Sequence, residues 1–340
     1  MPDPFPETVP DPLRILRTFT AYQRTEALET AVDLDLFTAV GEGNTRIEDL
    51  ARRCDASERG MRALCDHLVV EGFLVKKEGR YGLPEISALY LDRRSSRYLG
   101  DSVRFLASAE LRDGFERLTE AVRKGGTAAK GAGIASEESP AWVEFARAMQ
   151  PLARPLAEGL AKILVEDPAP IRRVLDVAAG HGLYGIEIAR RRPGAEIVAI
   201  DGASVLEAAR ENAAAAGVSD RYRCLPGSAF EVEWGKGYDL VLLVNILHHF
   251  DARAVVRLLK KARAAVVERG RVVAGEAPPN EDRVSPGPPA SFALVMLATT
   301  PGGGAYTLAE YEAMFREAGL GRPVATPIPD SIHSAIVARR

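Results

Sequence analysis

Apolar positions in the second half of the chain fall into short continuous runs separated by segments of helical spacing. Val174-Leu175-Asp176-Val177 reads as a buried strand that breaks at Ala178-Ala179-Gly180-His181-Gly182. Ile186 and Ala189 then stand at the spacing of a helix core, and a second strand, Glu196 to Ile200, ends on Asp201. Strand, glycine turn, helix, strand and acid form a nucleotide-binding βαβ unit. The alternation continues with an alanine-rich helix from Ser204 to Ala216, a strand from Arg221 to Leu225 and a fourth from Tyr238 to Val244. That fourth run is apolar throughout, as a strand buried on both faces must be. An amphipathic helix, Asp251 to Glu268, carries Arg253, Arg257, Lys260, Lys261 and Arg263 on a face read as solvated. A fifth strand, Arg271 to Gly275, closes on Glu276. Helical stretches Ser291 to Thr299 and Thr307 to Ala318 precede closing strands Pro323 to Thr326 and Ile332 to Val337. The pattern is α/β and doubly wound.

The first half reads differently. Leu13 to Thr30 has apolar positions at helical spacing, and a second helix runs to Val40. A helix from Ile47, a capped helix from Ser57 and two short apolar runs around the polar turn Lys76 to Arg80 give a winged-helix pattern. Arg97 to Arg123 is predicted as one helix burying Val103, Leu106, Leu111, Phe115, Leu118 and Val122, and Lys124 to Ser139 as a flexible loop. Trp142 to Leu164 returns to helical spacing, with Trp142, Phe145 and Met149 on one face, where core packing is the plainer reading. Pro168 and Pro170 mark a boundary. The expected organisation is a winged-helix domain over residues 1–100, linking helices over 101–168 and an α/β domain over 169–340.

Composition narrows the partners. At 340 residues and a net charge of −3, the chain has no electrostatic case for nucleic acid or a membrane surface. Within Asn44 to Gly100, eleven Lys/Arg against nine Asp/Glu leave a net of two positive charges, far from a DNA-binding footprint. The acidic, proline-rich start is the opposite of a signal peptide, no apolar run reaches the length of a membrane span, and Cys54, Cys65 and Cys224 show no ligand spacing. A reduced, cytoplasmic protein is expected.

The glycine turn decides the nucleotide. Gly180, Gly182 and Gly185 spell G-x-G-x-x-G, and Asp201 lies where a ribose-binding acid stands in a dinucleotide fold. Asp176, just ahead of the glycines, argues against a pyrophosphate on the turn, because a nearby carboxylate repels it. The same carboxylate attracts the sulfonium and ammonium of S-adenosylmethionine (SAM). At the carboxyl end of the fourth strand, Asn245-Ile246-Leu247-His248-His249-Phe250 offers two adjacent histidines that cannot point the same way. His249 and Asp251 are too close along the chain to converge on a metal with another ligand, so no metal is expected.

LDVAAGHG, AIDGASVLEAAREN, LPGSAF, YDLVLLVNILHHF and GRVVAGEAPP, in this order, resemble the motifs of class I SAM-dependent methyltransferases. More closely, the chain from about Leu13 to Arg339 resembles small-molecule O-methyltransferases with an N-terminal winged-helix dimerisation domain. The resemblance implies a Rossmann-like seven-stranded sheet, a homodimer, and methyl transfer from SAM to a small, largely apolar acceptor, with a hydroxyl oxygen as the accepting atom. It assigns SAM to Asp176, Gly180, Gly182, Asp201, Gly202, Ser228, Ala229, Phe230 and Asn245. His248 takes the place of the general base and Glu276 that of the acid orienting it, while a second expected acid is replaced by Ala305. Trp142, Phe145, Met149 and Leu294 become candidate pocket walls; for Leu294, as for Met296 and Met314, core packing is the plainer reading. The alternatives are an NAD-dependent dehydrogenase and a SAM-sensing, DNA-binding regulator.

Overall fold

A computed structural model describes residues 12–129 and 141–340. Most of the predicted loop from Lys124 to Ser139 therefore lies outside the described residues. The chain divides after Ala107 into two compact units.

The first unit begins with α1 (Pro12–Phe19) and α2 (Tyr22–Asp33), where a single helix is predicted. Near the break the hydroxyls of Thr18 and Thr20 bond back to the carbonyls of Arg14 and Leu16. Asp35, at φ 54°, then turns the chain into α3 (Leu36–Gly41). Next come α4 (Ile47–Arg53) and α5 (Glu58–Val70), the latter capped by Ser57, whose hydroxyl accepts from Gly60 N–H. Strands β1 (Val75–Lys77) and β2 (Arg80–Gly82) pair antiparallel across Glu78 and Gly79, both at positive φ, the turn a tight hairpin requires. The winged-helix pattern is thus present, and α6 (Glu85–Tyr90) and α7 (Gly100–Leu106) complete the unit. Its core gathers Leu36, Phe37, Leu50, Met61, Cys65 and Leu74.

The single helix expected over Arg97 to Arg123 is three: α7, then α8 (Ala109–Glu116) and α9 (Leu118–Lys124). Extended backbone at Ser108 interrupts the first pair. Each break resets the helical phase, so half of the predicted buried set fails: Leu106, Phe115 and Val122 are exposed, Val103, Leu111 and Leu118 are partly buried, and Phe105, Gly114 and Ala121 take the buried places. A second predicted helix also splits, into α10 (Ala141–Ala148) and α11 (Gln150–Glu166), with Pro151 at the start of α11, where its missing N–H costs nothing.

The remaining elements alternate: β3 (Arg173–Val177), α12 (Leu183–Arg191), β4 (Glu196–Asp201), α13 (Val205–Ala215), β5 (Tyr222–Pro226) and β6 (Tyr238–Val244). After them come α14 (Ala252–Ala265), β7 (Val266–Glu276), α15 (Gly287–Thr299), α16 (Leu308–Glu317), β8 (Val324–Pro327) and β9 (Ser334–Arg339). They form a seven-stranded sheet in the order β5-β4-β3-β6-β7-β9-β8. Strands β3 to β7 run parallel and β9 lies antiparallel between β7 and β8. Strand order reverses between β3 and β6, so the crevice for a ligand opens beyond their carboxyl ends.

One core packs α11, α12 and α13 against one sheet face, and a second packs α14 and α16 against the other. Leu243, fully buried in the second, is typical of β6. Leu243→Ala should lower the free energy of unfolding by about 2–5 kcal/mol, read from the guanidinium midpoint; a loss under about 1 kcal/mol would contradict this packing.

Candidate functional site

A cavity of about 800 Å³ opens at the carboxyl ends of β3, β4, β5 and β6. Its floor is the glycine turn. Ala178, Gly180 and Gly182 all adopt positive φ. A Cβ on Gly180 would meet nothing within 4 Å, whereas one on Gly182 would lie 2.5 Å from Tyr222 Oη and 2.9 Å from Ala209 Cβ. Gly180 therefore faces the open cavity, and Gly182, which does not line it, lets the turn pack down at the start of α12.

Asp201 closes the turn. Its Oδ2 accepts from Gly180 N–H at 2.8 Å and its Oδ1 from Gly202 N–H at 2.7 Å, which holds the carboxylate at the cavity wall beside Gly202. Asp176 lies beneath and off the cavity lining. Its Oδ2 accepts from Gly185 N–H at 3.0 Å, while its buried Oδ1 has no hydrogen-bond partner. Burial pushes this carboxyl up to about 7, the Gly185 hydrogen bond opposes the shift and Asp201 adds to it.

Ser228, Ala229 and Phe230, after β5, form another wall. They are held from behind by Lys261, whose ammonium donates to the carbonyls of Ala229, Phe230 and Val232 at 2.8, 2.9 and 3.1 Å, and by Trp234, whose Nε1–H also reaches Ala229 O. The expectation that Lys261 belongs to a solvated face is corrected: it sits beside buried Leu258 and Ala262 and turns inward.

Trp142, Phe145 and Met149 line the cavity, with Leu152 and Leu156. This corrects the core reading of that stripe. Trp142 stands edge-to-face with Phe145 at 5.5 Å and with His249 at 5.4 Å. Leu294 is not on the cavity: it is 44 % exposed, on a face of α15 opposite to buried Met296. Met296 and Met314 are core.

After β6, Asn245 takes φ 54° and a 3-10 turn over Leu247–His249 brings the two histidine rings against each other, centroids 4.3 Å apart and planes tilted by 48°, although only His249 reaches the cavity. His248 is buried, with Nδ1 2.6 Å from Glu276 Oε2 and its ring edge-to-face with Phe292 at 4.9 Å. Glu276, at the end of β7, accepts Leu247 N–H at 2.9 Å on its other oxygen. Ala305 is buried just beyond Gly304, whose N–H bonds His248 O. His249 lines the cavity, its Nδ1 without a partner; burial, then neighbouring His248, hold it well below the usual histidine range.

Three residues were missed. His333, in the β8–β9 connection, places Nε2 2.9 Å from Asn245 Oδ1, and Asn245 Nδ2 donates to Tyr184 Oη at 3.1 Å. His181 also lines the cavity, pushed down to about 4 by burial and secondarily by Arg154. Four of the chain's five histidines thus cluster here, a concentration that only the topology reveals. Among the described residues, no group of three or more His, Cys, Asp or Glu is placed to hold a metal ion.

Comparison with known proteins decides the family. A model of the O-methyltransferase domain matches residues 115–321, and one of the O-methyltransferase dimerisation domain matches residues 16–93. The chain belongs to the O-methyltransferase family. It is 29 % identical over 306 residues to the 3-hydroxy-5-methyl-1-naphthoate 3-O-methyltransferase of Streptomyces sahachiroi, covering 88 % of this chain and 87 % of that protein. It is 26 % identical to the mitomycin biosynthesis 6-O-methyltransferase of Streptomyces lavendulae, covering 87 % and 85 %. A solved structure from Nostoc punctiforme, assigned as an O-methyltransferase, superposes with a TM-score of 0.94 at 47 % identity, covering 98 % of this chain and 100 % of that one. As a member of the family, this O-methyltransferase uses SAM to methylate hydroxyl groups of small molecules, which selects methyl transfer over the rival dehydrogenase and regulator. The site fits that donor: no Lys or Arg lines the described cavity to receive a pyrophosphate, and a buried carboxyl with an unpartnered oxygen lies beneath the turn.

The raised Asp176 value has a consequence for stability. A carboxyl lifted from 3.8 to about 7 by folding contributes stability that is present below the unfolded value and lost as pH rises through about 7. Relative to wild type, Asp176→Asn should therefore gain in denaturation midpoint between pH 5 and pH 8. Parallel pH profiles for the two proteins would contradict this.

Proposed function

We propose that this O-methyltransferase methylates a hydroxyl oxygen on a largely apolar small molecule, with His248 as general base oriented by Glu276. The observation that carries the reading is the buried 2.6 Å hydrogen bond between His248 Nδ1 and Glu276 Oε2. Glu276, fixed by Leu247 N–H, accepts the Nδ1 proton, so the lone pair sits on Nε2; His248 lies just behind the cavity lining, against His249, and the reading requires that Nε2 reach an acceptor bound there. SAM, when bound, supplies a methyl group on a positively charged sulfur that is already a good leaving group. The chain's remaining work is alignment and exclusion of water.

We assign the donor's nucleoside to Gly180, Asp201 and Gly202, its base to the wall of Ser228, Ala229 and Phe230, and its cationic end to Asn245; Gly182 and Asp176, both off the lining, shape the turn from beneath rather than touch the donor. The apolar wall of Trp142 and Phe145 on α10 and Met149 at the turn into α11 supports an apolar acceptor. We also infer a homodimer through the N-terminal residues, the region matched by the dimerisation model. Exposed Ile15, Leu16, Phe19 and Tyr22 on α1 and α2 support it, since a lone chain leaves them in water. No helix among the described residues is long and apolar enough to cross a membrane, and Cys54, Cys65 and Cys224 are free thiols; we read the protein as cytoplasmic.

His248→Gln should leave SAM affinity within about twofold while turnover on the acceptor falls by about 10²–10⁴. Near-normal turnover would make His248 structural. Asp201→Ala should weaken SAM by about 1.5–3 kcal/mol in calorimetric titration, with no change expected if the ribose lies elsewhere. Light scattering should give twice the chain mass; a monomer at micromolar concentration would refute the dimer.

A further inference from the structure

The cavity contains a hydrogen-bonded chain whose polarity can be read from its atoms. Asn245 Oδ1 can only accept, so His333 Nε2, 2.9 Å away, carries the ring hydrogen. His333 Nδ1 is then an acceptor, served by the Ser331 hydroxyl at 2.9 Å; Ser331 Oγ in turn accepts His333 N–H at 3.2 Å. At the other end, Asn245 Nδ2 donates to Tyr184 Oη at 3.1 Å. With its oxygen accepting from Asn245, Tyr184 has its own hydrogen left to donate, and Tyr184, Asn245 and His333 all line the cavity. Burial holds the phenol far above its usual range, so that hydrogen stays in place.

The position of this donor along the sheet identifies what it meets. The nucleoside wall belongs to β4 and β5, where Asp201 and Ser228 stand. Asn245 follows β6, two strands from β4, about 10 Å away at the usual strand spacing. That is the reach from a ribose to the amino-acid end of an extended SAM. No Lys or Arg lines the described cavity to neutralise a carboxylate there. We propose that Tyr184, oriented by the chain Ser331–His333–Asn245, is the hydrogen-bond donor that receives the carboxylate of the amino-acid end of the methyl donor. Tyr184 makes the contact; His333 is a positioning residue that fixes the Asn245 amide. The proposal rests on the SAM site argued above.

Two ligands separate the proposal from that reading: S-adenosylhomocysteine, which has the amino-acid end, and 5′-methylthioadenosine, which keeps the nucleoside and lacks it. Calorimetric titration of the full-length chain should show Tyr184→Phe weakening S-adenosylhomocysteine about tenfold, the worth of one hydrogen bond to a charged group, with methylthioadenosine unchanged. His333→Ala, in a partly exposed turn and away from the sheet core, should weaken S-adenosylhomocysteine about threefold and again spare methylthioadenosine. Equal weakening of both ligands would make Tyr184 a structural residue and overturn the proposal, as would unchanged S-adenosylhomocysteine binding in Tyr184→Phe. Selective loss in Tyr184→Phe without any in His333→Ala would overturn the positioning role. A wild-type chain that binds neither ligand would overturn the SAM site itself. Should Tyr184→Phe fail to fold, the ligand selectivity of His333→Ala decides alone.

Discussion

The hydrogen bond between His248 and Glu276 depends on the register of two parallel strands. Val244 pairs with Gly275, and Asn245 N–H continues the ladder to Gly275 O, so the turn after β6 and the last residue of β7 arrive side by side. A slip of one residue would turn Glu276 to the other sheet face and leave His248 buried without its carboxylate. The apolar runs Leu240–Val244 of β6 and Val272–Ala274 of β7, buried where the two strands pair and covered by helices, hold that register. Stability and chemistry therefore share the same strands, and the glycine at 275 lets the two approach: a Cβ there would lie 2.8 Å from Val244 Cγ1.

Charge is distributed to suit the donor. The cavity wall carries aromatic rings, amide groups and imidazoles, and burial keeps His181, His249 and His333 neutral. The nearby Lys261 is engaged elsewhere, on the carbonyls of Ala229, Phe230 and Val232. A sulfonium entering such a site meets no like charge on the described wall, and it has the buried Asp176 carboxyl below the turn. A pyrophosphate would meet the reverse arrangement.

Much of this was legible before the fold was known, for a physical reason. Buried parallel strands are continuous apolar runs, so Tyr238–Val244 was read to the residue, and the order of Asp176, Gly180, Asp201, Ser228 and His248 followed from strand ends. Helix breaks were not legible: the break after Phe19 and the extended Ser108 leave no mark in hydrophobic period, and the burial predicted for Leu106, Phe115 and Val122 failed with them. Lys261 looked like one cation among five on its helix, and only the loop packed behind it gives it partners. The Tyr184–Asn245–His333 chain joins residues 61 and 88 positions apart, a distance over which no local pattern operates. Leu294, expected in the core or else on the pocket wall, is in neither, because its face of α15 is turned to the outside.

The claim that His248 is a base held by Glu276 requires one particular tautomer. Nitrogen-15 NMR of histidine-labelled protein, with the His248→Gln variant to identify the signal, measures it directly at the ring. The account predicts that His248 carries its hydrogen on Nδ1, with Nε2 unprotonated, and that Glu276→Gln weakens this preference. A His248 ring protonated on Nε2 alone, with Nδ1 bare against Glu276, would contradict it.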